Sequence, residues 1–175
     1  MDVLVVVDMQ KDFISGALGT KEAVAIVPRV AKKIAQAKKA GKTVVFTRDT
    51  HHENYLQTQE GKNLPVPHCI DNTPGWEIDP ALDTTGARIF DKPSFGSEAL
   101  VQYLKGLDNL TSAEFVGLCT DICVITNVLS AKCALPELPI AVDSACCAGV
   151  TPESHQRALE AMKACQIEVV NGEQT

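Results

Sequence analysis

The sequence predicts a three-layer α/β fold: a doubly wound parallel sheet flanked by helices. Two observations carry that expectation. Val3-Leu-Val-Val-Val7 is a continuous apolar, β-branched run, as a strand buried on both faces requires. Strand-like runs then alternate with helix-like segments along the chain, and alternation of that kind builds βαβ units with right-handed crossovers. The 175 residues suffice for one domain with a real core, and residues 1–175 read as a single domain without repeat or linker.

The elements follow in order. After the Val3–Val7 strand, Val27, Val30, Ala31, Ile34, Ala35 and Ala37 recur at helical spacing. Pro28 near the start and Gly41 just past the end punctuate that helix. Thr43-Val-Val-Phe-Thr47 is a second strand. Residues 49–87 form a long irregular stretch rich in Pro, Gly, Asn and His, and so long a loop inside a domain is usually functional. Ala87-Arg-Ile-Phe90 reads as a short strand, and Ser97 caps a helix with apolar positions Leu100, Val101, Leu104 and Leu107. Phe115-Val-Gly-Leu118 is a buried strand. Val124, Ile125, Val128, Leu129 and Ala131 then take helical spacing, with Thr120 and Asp121 as capping residues. Pro139–Asp143 is a strand, Thr151-Pro152 opens a last helix through Leu159 and Met162, and Ile167–Val170 closes the sheet.

Composition narrows the function classes. The hydrophobic share of 45% and charged share of 22% are those of a soluble globular protein. No apolar run approaches the roughly 20 residues that span a membrane, so no membrane partner is expected. The amino terminus lacks the basic start and cleavage site of a signal peptide. Seven cysteines, odd in number and without a CxxC pair, suit reduced thiols and a cytoplasmic setting better than a disulfide framework. The net charge of −6 argues against a nucleic-acid partner.

Three single residues and one cluster carry chemistry. Cys123 stands in the first turn of a helix after a buried strand, where the helix dipole and free amides favour a thiolate and lower its pKa. The alternative is a small buried hydrophobe, as many cysteines are; the segment alone weighs the two evenly. Asp8 directly follows five apolar residues, at the strand end that faces a ligand crevice, where desolvation raises a carboxyl pKa and suits it to proton transfer. It also reads as an ordinary turn-capping aspartate. Lys92, beside Pro93 after a strand, is a surface lysine by default; near Asp8 and Cys123 it would hold a thiolate and steady the base. Asp49 and His51 lie two apart on an extended segment, so their side chains share a side. With Glu60 and His68 they offer two imidazoles and two carboxylates, a set suited to Zn²⁺, Mn²⁺ or Fe²⁺. Against this stands a polar loop that merely happens to hold histidines 51, 52 and 68.

Taken together these motifs resemble the isochorismatase-like cysteine hydrolases, and within them the nicotinamidase/pyrazinamidase group. The resemblance rests on Val7-Asp-Met-Gln-x-Asp-Phe13, Thr47-Arg-Asp-Thr-His51, Pro67-His-Cys-Ile-x-x-Thr-x-Gly75, Lys92, and Gly117-Leu-Cys-Thr-Asp-Ile-Cys-Val124. It implies an isochorismatase-like fold and a catalytic triad of Asp8, Lys92 and Cys123. It implies one divalent metal ion on Asp49, His51 and His68, with Glu60 as the favoured fourth ligand over His52 or water. It implies an oxyanion hole from the main-chain amides of Cys119 and Cys123 after a cis bond between Leu118 and Cys119. Phe13 matches one substrate wall and Phe95 substitutes in part for a second, because Pro65 stands where the family often has an aromatic. The implied reaction is hydrolysis of a small carboxamide, nicotinamide first, through a Cys123 thioester. The alternatives are another amidase of the superfamily acting on an N-carbamoyl or aliphatic amide, an isochorismatase-type vinyl ether hydrolase, and a non-catalytic relative. The family commonly forms homo-oligomers, although no interface stripe stands out in this sequence.

Overall fold

The computed structural model describes residues 1–172, so the last three residues of the expected domain lie outside it. Six strands form one parallel sheet: β1 Asp2–Val7, β2 Thr43–Asp49, β3 Arg88–Lys92, β4 Ser112–Leu118, β5 Ile140–Ala148 and β6 Glu168–Val170. Their order across the sheet is β3-β2-β1-β4-β5-β6, the doubly wound arrangement the alternation predicts. The apolar β1 takes the centre, with Val7 level with Thr47 of β2 and Gly117 of β4.

The helices fall on two faces for a topological reason. The chain winds outward from β1 to β3, then crosses back to β4 and winds the other way, so right-handed crossovers cover opposite faces. Helix α2, Lys21–Lys39, packs Ile26, Val30 and Ile34 against Leu4, Val6, Phe46 and Val116. Helices α4 (Glu98–Lys105), α5 (Ile125–Ala134) and α6 (Pro152–Ala164) bring Leu100, Val128 and Met162 against Val3, Val5 and Phe115 on the other face. A strand with a helix layer on each side must be apolar at every position, and Val3 to Val7 are at most 1% exposed.

Several boundaries differ from the sequence expectation. Helix α2 begins at Lys21, capped by Thr20, whose hydroxyl accepts the Ala23 amide at 3.0 Å. Pro28 therefore lies inside it, on the solvent side, where a missing amide bond costs least. Gly41 does end it, in the left-handed region at φ +73. Short helices α1 (Lys11–Ile14) and α3 (Gln59–Asn63) and the single turns at Tyr55–Gln57 and Pro74–Trp76 give structure to segments that read as irregular. Strand β5 runs past Asp143 to Ala148 because of a bulge: Val142 pairs with Phe115 and Cys147 with Gly117, so Asp143–Cys146 stand opposite Val116 alone. Lys33 anchors that bulge, 2.6 Å from Asp143 Oδ2 and 2.5 Å from Glu114 Oε1. Gly117 is required: φ is +118 and a Cβ would fall on the Val7 carbonyl oxygen. All seven cysteines are free, and among the described residues no helix is long and apolar enough to cross a membrane.

Candidate active site

The winding reverses between β1 and β4, and this is where an open α/β sheet leaves a crevice beyond its strand ends. Asp8 is the residue after β1. It is fully buried and left-handed at φ +47, a region that aspartate tolerates better than most residues. The Thr47 hydroxyl donates to its Oδ1 at 2.7 Å. Lys92, the last residue of β3 and 1% exposed, lies with its ammonium 2.7 Å from Asp8 Oδ2 and 3.1 Å from Asp49 Oδ1. The same ammonium donates to Cys123 Sγ at 3.5 Å and to the Ser94 carbonyl at 2.9 Å. Three residues far apart in sequence are thus joined through one cation.

Burial and charge oppose each other in this pocket, and the outcome differs from residue to residue. Desolvation and Asp49 push the Asp8 carboxyl up, while Lys92 and Thr47 pull it down, and the net direction is up. Among the described residues Asp8 Oδ2 has no well-aligned hydrogen-bond donor, which leaves a lone pair for an incoming proton. Burial disfavours the Lys92 ammonium, but Asp8, Cys123 and Asp49 together raise its pKa, so it stays charged. The Cys123 thiol differs from expectation. Burial and the Asp8 carboxylate hold it well above its usual value, against the pull of Lys92. The helix start does not yield a standing thiolate, because Cys123 is only 5% exposed and desolvation outweighs a dipole effect of about 1 kcal/mol.

The turn that carries Cys123 also differs. Thr120–Val124 is a π turn leading into α5, and the Cys119 carbonyl accepts from Ile122 at 3.1 Å and Val124 at 3.0 Å. Thr120 and Asp121 do not cap it. The Thr120 hydroxyl is spent on His155 and Asp121 Oδ1 on the Val150 amide. The Leu118–Cys119 bond is cis. Asn127, one turn beyond Cys123, donates to the Cys123 carbonyl at 2.8 Å and the Phe95 carbonyl at 3.1 Å, tying the helix that follows Cys123 to the segment after β3.

Asp49, His51, Glu60 and His68 converge, with one donor atom from each within 4.8 Å of the others. His51 Nε2 lies 2.9 Å from Asp49 Oδ2 and 3.6 Å from Glu60 Oε1, yet among the described residues it is buried without a well-aligned hydrogen-bond partner. His68 Nδ1 bonds the Val66 carbonyl at 2.8 Å, which turns Nε2 with its lone pair toward the same point. The orphaned His51 Nε2 beside His68 Nε2, both facing two carboxylates, fits a divalent ion. Glu60 reaches the cluster from α3, whereas His52 is exposed and faces a different surface hollow. Burial raises the Asp49 carboxyl, but the two imidazoles and Lys92 pull it well below the carboxylate range. Gln10 clamps this residue from behind: Oε1 accepts the Asp49 amide at 2.7 Å and Nε2 donates to its carbonyl at 2.8 Å.

Both groups open onto one cavity of about 350 Å³. Phe13 forms one wall, tilted against His68 with centroids 5.4 Å apart, and Phe95 lies at the rim, 45% exposed. Pro65 is exposed and outside the lining. Leu64, itself exposed, lines the cavity in its place, with Leu18, Ile122 and Val150. Sequence reasoning missed these aliphatic residues, as well as Thr47, Gln10 and Asn127. Gln10 and Thr47 lie inside quoted motifs and were readable there; Leu18, Leu64 and Val150 carry no local signal, because only tertiary structure brings them together.

The Isochorismatase domain family matches residues 2–174. The nicotinamidase/pyrazinamidase of Mycobacterium tuberculosis is 29% identical over 189 residues, covering 97% of this chain and 98% of its own length. The nicotinamidase of Schizosaccharomyces pombe is 27% identical over 208 residues, covering 96% and 92%. The crystal structure of the pyrazinamidase of Pyrococcus horikoshii in complex with zinc superimposes with a TM-score of 0.85 at 32% identity, over 98% of this chain and 99% of that one. With the match running from β1 past β6 and the strand-end residues assembled on the doubly wound sheet, this chain belongs to the isochorismatase family.

Proposed function

We propose that the protein is a metal-containing cysteine amidohydrolase that cleaves nicotinamide to nicotinate and ammonia. The observation that carries the reading is the single Lys92 ammonium in contact with Asp8, Asp49 and Cys123. It links a candidate base, a candidate nucleophile and the metal cluster in one buried group. The nicotinamidases and pyrazinamidases similar to this chain support the substrate.

In this reading Asp8 takes the Cys123 proton as sulfur attacks the carboxamide carbon, so the thiolate forms only when a substrate is there to receive it. The amides of Cys119 and Cys123 hold the oxyanion, a contribution of about 3 kcal/mol per donor. Asp8 returns the proton to the departing ammonia. It then takes a proton from the water that attacks the thioester, which releases the acid and restores the thiol. Lys92 keeps the negative charge on Asp8 and the developing charge on sulfur tolerable in a dry pocket. A divalent ion (Zn²⁺, Mn²⁺ or Fe²⁺) on Asp49, His51, Glu60 and His68 supplies, when bound, a Lewis acid for the substrate's ring nitrogen. Phe13 and Phe95 flank the ring. A cytoplasmic setting, a free small-molecule substrate rather than nucleic acid, and homo-oligomer formation belong to the same reading.

The aliphatic walls from Leu18, Leu64, Ile122 and Val150 favour a second reading, an amidase of the same family acting on a small aliphatic amide. Ammonia release from nicotinamide, pyrazinamide, aliphatic amides and N-carbamoyl compounds separates the two. Cys123→Ala is expected to lower turnover by roughly 10⁵–10⁶-fold with the fold intact. Wild-type rates in purified Cys123→Ala protein would sink the mechanism.

A further inference from the structure

The turn bearing the nucleophile is fastened by a set of contacts with no part in that chemistry. Thr120, next to Cys119, is fully buried, and its hydroxyl lies 2.7 Å from His155 Nδ1. His155 stands in the first turns of α6, and its Nε2 lies 3.2 Å from Ser144 Oγ in the β5 bulge. In a neutral imidazole one nitrogen donates and the other accepts, so both hydroxyls are satisfied whichever nitrogen holds the proton. Burial keeps His155 neutral by lowering its pKa, against the pull of Asp121. Two further contacts come from the same segment. Asp121 Oδ1 accepts the Val150 amide at 3.1 Å, and a side chain on Gly149 would press on the His155 amide and Asp121 Oδ1. His155 and Ser144 line a second cavity of about 590 Å³ and not the one that holds Cys123. They are therefore placed to act on the turn from outside, without touching substrate.

We propose that His155 is a positioning residue for the oxyanion hole, fixing the Cys119–Cys123 turn through its bond to Thr120. The proposal rests on the reading of Cys123 as nucleophile. Donors aimed at a developing charge must hold their places to within about 0.5 Å. A π turn is a local departure from regular helix geometry, so side-chain fastening matters more here than in an ordinary helix start. Because the oxyanion develops after the substrate is bound, slack in this turn lowers kcat and leaves KM nearly unchanged.

Four variants test this: His155→Leu, His155→Asn, Thr120→Val and the Thr120→Val/His155→Leu double, each assayed below its own unfolding transition. His155→Leu fills the space and removes both polar contacts, whereas His155→Asn keeps a polar atom near the position of Nδ1. His155→Leu is expected to lower kcat about 10- to 100-fold, less than or comparable to losing one oxyanion donor outright, with KM within about twofold. His155→Asn restores most of the loss. Thr120→Val reproduces the part of the loss that runs through the Thr120–His155 bond, and the double variant is no worse than His155→Leu, because that change already breaks the bond that Thr120→Val removes. Amide hydrogen exchange of residues 118–124 is expected to rise about tenfold in His155→Leu. Wild-type kcat in His155→Leu, even with a lowered Tm, assigns a purely structural role and overturns the proposal, as do losses that multiply in the double variant. If the wild-type protein proves not to be an amidase, the reading of Cys123 fails on its own terms. Exchange in residues 118–124 then still decides whether His155 fixes the turn, and an unchanged rate overturns that.

Discussion

At Asp8 the neighbours compete over one charge. Burial and Asp49 favour the protonated carboxyl; Lys92 and the Thr47 hydroxyl favour the carboxylate. A base must be ionised to accept the Cys123 proton, so activity falls as pH drops through the Asp8 pKa, which lies above that of an ordinary carboxyl. Thr47→Val removes a donor to the charged form, and losing such a bond raises a carboxyl pKa further. The acid limb of the pH profile of kcat/KM should therefore move to higher pH, with the plateau little changed. An unmoved limb, or one displaced to lower pH, would show that Asp8 is not the titrating base. Much of this site was legible in the sequence. A carboxylate immediately after five apolar residues, and a cysteine just beyond a buried strand, mark two strand ends of a parallel sheet. What the sequence could not give is depth. Cys123 was expected to favour a thiolate from its helix start, but the opposite direction follows once the residue is known to be almost fully enclosed.

At the scale of elements, strand ends place Asp8 and Lys92, while a helix inside the long connection completes the candidate metal cluster. Helix α3 is five residues long and capped by Thr58, whose hydroxyl accepts the Gly61 amide at 3.0 Å; this brings Glu60 toward His51 and His68. Asp49, His51 and His68 were readable as a set from spacing and residue type. The choice of Glu60 over His52 needed family resemblance, because a short helix in a Pro- and Gly-rich stretch leaves little periodicity to read. Pro28 misled for a related reason: proline commonly marks a helix start, yet it is tolerated on the outer face of α2, and the Thr20 cap was the better signal. Purified protein should hold about one equivalent of a divalent metal, and Glu60→Ala should weaken its binding by at least about 10-fold, the lower end of what even supporting groups around a metal contribute. His52→Ala should leave it unchanged. Metal titration of both variants checks this, and retention of full affinity by Glu60→Ala would remove that residue from the ligand set.

At the scale of the whole molecule, charge is expected to discriminate between amides. The chain carries −6 overall, and among the described residues no arginine or lysine lines the cavity. Lys92, buried beside it, is matched by Asp8, and Asp49 and Glu60 of the cluster would balance a divalent ion. A neutral substrate is not steered by this field, whereas a carboxylate on the substrate meets a net negative protein and an apolar wall without arginine or lysine, and the divalent ion of the proposed site is already balanced by Asp49 and Glu60. For nicotinamide, kcat/KM should change by less than about twofold between roughly 0.01 and 0.15 M salt, over which the screening length falls from about 30 to 8 Å. An N-carbamoyl amino acid should be hydrolysed at least about 100-fold less efficiently, since an unpaired charge costs several kcal/mol to desolvate. Leu64→Arg supplies the missing cation at the wall. It should raise kcat/KM for the carboxylate-bearing amide, and that gain should shrink as salt is added. Efficient turnover of the N-carbamoyl amino acid by the wild-type protein, or no response to Leu64→Arg, would mean that shape rather than charge selects the substrate here.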